Sequence, residues 1–170
     1  MKKNLLALSV AALIASGCRT VTSVVDITPV SAFDVERFVG TWYELARFDH
    51  SFEKGADHAQ AHYSVNPDST ITFVNRAKYN GVAREVKGKV RLTKTPGLMR
   101  VSFFGPFYSD YRVLFIDKTY SHALIGSGSS DYLWVLCRSQ KPDLTILAKI
   151  MSEAKRRGYD VSSLIWVNQD

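Results

Sequence analysis

From Gly40 to Arg138, apolar and polar residues alternate in short runs rather than recurring every three or four positions. A period of two belongs to a strand with one face turned to a core. The runs predict strands at Trp42–Phe48, His58–Val65, Thr70–Tyr79, Val86–Leu92, Leu98–Phe104, Asp110–Asp117, His122–Gly126 and Tyr132–Arg138. Turn-forming clusters separate them: Asn66-Pro67-Asp68, Asn80-Gly81, Thr95-Pro96-Gly97 and Gly126-Ser127-Gly128-Ser129. Eight consecutive strands with short connections predict an antiparallel up-and-down meander, and closing it into a barrel removes the exposed edges.

After Pro142 the period changes. Leu144, Leu147, Met151 and Ala154 recur at helical spacing, with Ile146 and Ile150 widening the stripe. Asp143 suits the N-cap, Lys155, Arg156 and Arg157 suit the negative end of the dipole, and Gly158 stops the run. One amphipathic helix must bury its stripe somewhere, and the outside of the barrel is the available surface. Leu164 to Val167 reads as a short last strand. The expected fold class is therefore mainly β, an eight-stranded antiparallel up-and-down barrel with one C-terminal α-helix packed outside.

The N-terminal segment has a different pattern. Met1-Lys2-Lys3 is a short positive stretch, and Leu5 to Ile14 is an apolar run too short to cross a bilayer but suited to a secretory signal. It ends in Ala15-Ser16-Gly17-Cys18, which resembles the processing site of bacterial lipoproteins, with Ala15 where Leu is preferred. The resemblance implies a signal peptide over 1–17, lipidation of Cys18 with acyl (palmitate) chains, and a tether over 18–30 rich in Thr, Ser and Val. Residues 31–170 form the expected domain. Arg19 rather than Asp follows the cysteine, which implies sorting to the outer membrane, facing the periplasm. With Cys18 acylated, Cys137 stands alone in an apolar strand and reads as a buried, inert thiol.

Composition adds little to the picture but removes some classes. The 170 residues are 46% hydrophobic and 22% charged, an ordinary globular balance. Net charge is +6, and +4 once the two leader lysines are set aside. Arg76, Lys78, Arg84, Lys87, Lys89, Arg91, Lys94 and Arg100 alternate with apolar residues, as on solvated sheet faces, so no nucleic-acid partner is assigned. Attraction to anionic lipid headgroups is a better use of the charge.

The run Phe38-Val39-Gly40-Thr41-Trp42-Tyr43-Glu44, continuing to Arg47, resembles the Gly-x-Trp signature of the lipocalins, in the bacterial and apolipoprotein D-like branch. Leu133-Trp134-Val135-Leu136-Cys137-Arg138 ends where that family places an arginine across the tryptophan, while Asp117-Lys118-Thr119-Tyr120 matches the family's Thr-Asp-Tyr turn only in part. The resemblance spans essentially the whole mature chain. In physical terms Trp42 can plug the narrow end of the barrel, with Arg138 stacked on its ring and Gly40 beside it, a structural trio that holds no ligand.

Alternation then sorts the wall. If Arg138 faces the floor, Leu136, Trp134 and Tyr132 climb the inner wall, and Trp42, Glu44 and Ala46 face inward on the first strand. Resemblance to retinol-carrying relatives adds Val101, Phe103, Arg112, Ala123 and Ile125. On the sixth strand the period is ambiguous, because Tyr111, Val113 and Phe115 make a more apolar face than Arg112, Leu114 and Ile116. An apolar barrel with rings at its mouth suits an acyl chain, and Arg112 or a lysine at the mouth suits an anionic head; the alternative for Arg112 is an acidic neighbour or solvent.

His58 and His62 are four apart on a strand and lack the Glu of a zinc helix motif. Ser127, Ser129 and Ser130 lie in a turn and not on a nucleophile elbow. No catalytic residue, metal or cofactor is assigned. The resemblance implies an outer-membrane-anchored protein that carries or stores fatty acids or lysophospholipids, with oligomeric state open. The alternatives are a structural envelope lipoprotein whose barrel is filled by its own side chains, or a lipocalin-fold enzyme on an apolar substrate, which would need a titratable pair such as Glu44 and a neighbour.

Overall fold

The computed structural model describes residues 24–170; the expected signal peptide and Cys18 lie outside them. A short helix, α1 (Val35–Phe38), precedes strands β1 (Gly40–Phe48), β2 (Ala56–Val65), β3 (Ile71–Tyr79), β4 (Val82–Leu92), β5 (Leu98–Ser102), β6 (Ser109–Ile116), β7 (His122–Gly126) and β8 (Leu133–Cys137). Helix α2 (Leu144–Arg156) and strand β9 (Leu164–Trp166) follow. Each of β1–β8 pairs antiparallel with its sequence neighbours, and β1 pairs with both β8 and β2, so eight strands close a barrel. The β1–β2 ladder covers only Gly40 to Tyr43. Above it β1 pairs with β9 instead, and Gln169 bridges the split by donating to the carbonyls of Glu44 and Ala59 (2.7 and 2.9 Å). The closed barrel and both core clusters lie within 24–170, so this part carries its own fold.

Local signals account for the connections. Asn80 and Gly81 form a two-residue hairpin loop with φ of 50° and 79°, the mirror-image turn that matches strand twist. Asp143 caps α2 by accepting from the amides of Thr145 and Ile146, and Gly158 (φ 92°) ends it. Of the predicted stripe, Ile150 and Ala154 are buried and Ile146, Leu147 and Met151 pack beside them, whereas Leu144 in the first turn is exposed.

Two separate apolar clusters result. One fills the barrel: Phe38, Trp42, Tyr63, Ile71, Phe73, Val90, Met99, Val113, Ala123, Ile125 and Leu136. The other lies between the barrel's outer wall and α2, and includes Leu45, Ala46, Leu114, Leu124, Val135 and Cys137. The Cys137 thiol is buried there, and burial raises its pKa.

The final part of the segment read as a tether is instead a strap on the barrel. The Asp26 amide donates to the Arg157 carbonyl, Arg157 returns bonds to the carbonyls of Asp26 and Thr28, and the Val30 amide donates to the Val113 carbonyl. Arg157, at the end of α2, thus serves as a clamp beyond any role in the helix dipole.

Candidate functional site

The two ends of the barrel are built differently. At one end lie the β2–β3, β4–β5 and β6–β7 connections and α1; at the other lie the β1–β2, β3–β4, β5–β6 and β7–β8 connections.

The first end is closed. Trp42 is fully buried, and its indole N–H donates to the Phe38 carbonyl (2.7 Å). The Arg138 guanidinium lies 3.9 Å from the Trp42 ring centroid and donates to the carbonyls of Arg37, Phe38, Val39, Thr41 and Tyr120 (2.8–3.2 Å). Gly40 has φ of 99°, and a Cβ there would stand 3.1 Å from an Arg138 nitrogen, so both backbone and space favour glycine. The Asp117 carboxylate accepts from the amides of Thr119, Ser121 and His122, so the partly matching turn is held by one side chain. Above this base the interior is filled by rings. Phe38 packs on Trp42 and Tyr63 (5.1 and 5.2 Å between centroids), Tyr63 packs on Phe73 (5.7 Å), and the Tyr63 hydroxyl donates to that of Tyr111 (3.0 Å). Gly88 makes room, since a Cβ there would lie 2.3 Å from the Phe73 ring.

The second end is an open cup. The β4–β5 ladder begins at Lys89, so the β3–β4 hairpin rises above the rim as one wall. Its inner face carries Asn75, Ala77, Arg84 and Val86, in register with buried Phe73 and Gly88. Val86 is 44% exposed and Phe103, just past β5 and edge-on to Phe73 (5.0 Å), is 38% exposed, so water reaches the upper inner wall. Arg84 lies 5.2 Å from the Tyr79 ring.

On the opposite wall the polar groups converge. Glu44 and Arg47 are buried, with Arg47 Nη1 donating to Glu44 Oε1 at 2.7 Å. Arg47 Nη2 donates to the carbonyls of Glu53 and Ala56 (2.8 and 3.1 Å), pinning the β1–β2 loop across the rim. Trp134 Nε1 donates to Glu53 Oε2 (3.1 Å). His50 stacks on Phe52 (4.3 Å) and packs against Tyr132 and Trp134 (5.4 and 5.1 Å). Two carboxyl groups thus lie near one buried guanidinium, which bonds that of Glu44 and only the backbone carbonyl of Glu53. Burial, then the nearby Glu53 charge, push Glu44 up to about 8, with Arg47 pulling the other way. Burial also raises Glu53, and burial followed by the Arg47 charge lowers His50 to about 4. Arg47 Nε, Asn75 Oδ1 and both His50 nitrogens make no hydrogen bond among the described residues.

The expected wall residues divide accordingly. Glu44, Trp134, Leu136, Ala123, Ile125 and Val101 lie on the inner side, Tyr132 and Phe103 at its rim. Two expectations are corrected. A β-bulge between Glu44 and Ala46 places both Leu45 and Ala46 outside beneath α2 and turns Arg47 inward. Arg112 points outward, paired with Asp110 (2.8 Å) and donating to the Ile27 carbonyl (3.3 Å). On β6 the inner face is Tyr111 and Val113; a second bulge then puts Leu114 and Phe115 outside and Ile116 within. Arg47, His50, Glu53, Asn75, Arg84 and Val86 were not anticipated. The inward register of Gly88 and Val90 carries up β4 to Arg84, a signal present in the alternation. His62 Nδ1 lies 2.8 Å from the Thr41 hydroxyl, and no cluster of three metal-ligating groups occurs among the described residues.

The closed base, the aromatic floor and the outer helix coincide with a family match: the Lipocalin-like domain covers residues 33–169. The chain belongs to the lipocalins. This lipocalin is 39% identical over 170 residues to the Outer membrane lipoprotein Blc of Escherichia coli K12, covering 97% of this chain and 96% of the other. It is 34% identical to Temperature-induced lipocalin-1 of Arabidopsis thaliana, with 82% and 81% covered. Among solved structures, insecticyanin from Manduca sexta superimposes with a TM-score of 0.71 at 19% identity, over 84% of each chain, a likeness of fold.

Proposed function

We propose that this lipocalin binds the acyl chain of a fatty acid or lysophospholipid in its open cup, as a carrier or store anchored through Cys18 to the outer membrane on the periplasmic side. The observation that carries the reading is an apolar inner wall, Val86, Phe103 and Trp134, that the protein's own side chains leave accessible above the aromatic floor. Each methylene moved from water onto such a wall contributes about 0.8 kcal/mol. Arg84 then supplies the mouth cation that Arg112 does not, facing inward where a carboxylate or phosphate head would lie. The anchor and location rest on the Ala15-Ser16-Gly17-Cys18 site and on likeness to proteins named outer membrane lipoproteins. Native mass spectrometry of the membrane-extracted protein tests the ligand: a co-purified acyl lipid is the expected result. Protein free of lipid that also takes up none when incubated with lysophospholipid would overturn it.

The Glu44–Glu53 pair is the titratable pair that an enzyme would require. Here its geometry fits a structural task, because Arg47 binds Glu44 with one nitrogen and the β1–β2 loop with another.

A further inference from the structure

All four exposed phenylalanines among the described residues sit at the open end: Phe52 in the β1–β2 loop and Phe103, Phe104 and Phe107 in the β5–β6 loop. Phe103 leans into the cup, but Phe104 and Phe107 are 79% and 80% exposed. Burial of such rings is worth so much that two displayed together on one loop mark a contact surface. Beside them rises the β3–β4 hairpin, where residues 76–87 carry Arg76, Lys78, Arg84 and Lys87 against Glu85 alone. Arg91 on the neighbouring outer face lies 4.1 Å from the Tyr108 ring in the same loop. Acidic Asp49 and Asp131 lie on the far rim.

The strap adds an independent constraint. Val25 shares a groove with Phe48, Asp49, Ser130 and Asp131 at the open end, while Val30 lies against Gly97 in the β4–β5 turn at the closed end. The described chain therefore begins at the open end. Six residue-to-residue steps separate Cys18 from Val24 and span at most about 20 Å. The closed end lies a nine-residue strand away, roughly 30 Å along the chain.

From these observations we infer that the open end docks mouth-down on an anionic lipid surface, with Phe104 and Phe107 inserted at headgroup level and Lys78 and Lys87 above the headgroups. Aromatic rings prefer that interfacial depth, and clustered cations beside them add attraction that salt weakens. The mouth then opens onto the bilayer, and an acyl chain passes between membrane and cup without crossing water. The direction of transfer rests on the proposed lipid binding, and the strap's constraint on the proposed Cys18 anchor; the docking itself rests on the loop and the hairpin.

The test uses residues 19–170, which lack the leader and Cys18, with sucrose-loaded vesicles of phosphatidylethanolamine and phosphatidylglycerol. The unmodified domain is expected to sediment with these vesicles. Phe104→Ser/Phe107→Ser should lower the partition coefficient about tenfold or more. Lys78→Gln/Lys87→Gln should lower it severalfold and flatten its salt dependence. Both pairs should keep the melting temperature and the affinity for lysophospholipid in solution, so that loss of docking is read apart from loss of ligand binding. A polarity-sensitive dye on Phe107→Cys should shift on vesicle addition, and the same dye on Lys118→Cys at the closed end should not. Equal partitioning of the wild-type and phenylalanine-substituted domains would overturn the proposal, as would equal dye responses at the two ends. So would a patch that only joins two copies of the chain, seen as a dimer that Phe104→Ser/Phe107→Ser dissociates without change in vesicle binding.

Discussion

Each end of the barrel is tied together by one arginine, Arg138 or Arg47, and the two are used in opposite ways. Arg138 gives its donors to five backbone carbonyls and its face to Trp42. Arg138 does not move without breaking several bonds together. Arg47 is divided between a carboxylate and two loop carbonyls, its Nε has no hydrogen-bond partner among the described residues, and His50 Nδ1 stands 3.3 Å from the Glu53 carboxylate nearby. Backbone carbonyls give a permanent lock, whereas side-chain carboxylates and a loop give a closure that responds to protons and ligands. The closed end is therefore a fixed base, and the open end carries the groups whose closure can respond.

The largest effect that separates the ends is on stability. Trp42→Ala removes a fully buried ring and should cost about 3–5 kcal/mol, read from denaturant unfolding. Arg138→Ala should cost less, because water replaces some of its partners at the half-exposed face. A Trp42 variant as stable as wild type would mean that the ring is not the plug.

Next comes pH, where the open end carries the raised carboxyl of Glu44 and the lowered imidazole of His50. Glu44 holds its proton in the fold up to about 8, against 4.5 when unfolded, so its contribution to stability is lost as pH rises through that window. His50 stays neutral in the fold down to about 4, against 6.5, so its contribution is lost as pH falls from 6.5 to 4. The two slopes oppose each other below 6.5; above it the raised carboxyls of Glu44 and Glu53 carry the fall. Melting temperature should fall from pH 6.5 to pH 8, and Glu44→Gln should flatten that fall. A slope unchanged in Glu44→Gln would place the titration elsewhere.

The smallest effect is expected at Arg112. Its guanidinium pairs outside with Asp110, so Arg112→Gln should change stability by about 1 kcal/mol or less and leave ligand affinity unaltered. Arg84→Gln, by contrast, should weaken an anionic ligand severalfold relative to a neutral one of the same chain length.

The strand ladder was legible because alternation and turn residues act locally: the Asn80-Gly81 hairpin and the Asp143 cap stand where their chemistry places them. What alternation could not see was a bulge. One extra residue near Leu45 and another near Leu114 reverse the face of everything beyond, so Ala46 left the interior and Arg47 entered it. Both bulges set two adjacent apolar residues outward beneath α2, and the paired apolar residues Leu45-Ala46 and Leu114-Phe115 are the trace they leave in the sequence. The cluster of His50 and Glu53 was hidden for another reason. Loop side chains acquire partners only from the path of the loop, here set by Arg47 across eight residues of chain.

The claim that the open half takes an acyl chain is tested most directly by titrating delipidated protein with fatty acids and lysophospholipids of increasing length while following tryptophan fluorescence. Trp134 lies in the cup wall, so the signal should saturate at roughly micromolar affinity, about −8 kcal/mol, and tighten with each methylene until the wall is covered. The aromatic floor should end that gain, and Trp134→Ala should weaken binding about tenfold while costing less stability than Trp42→Ala. A flat response at every chain length would contradict the account and leave a barrel filled by its own side chains.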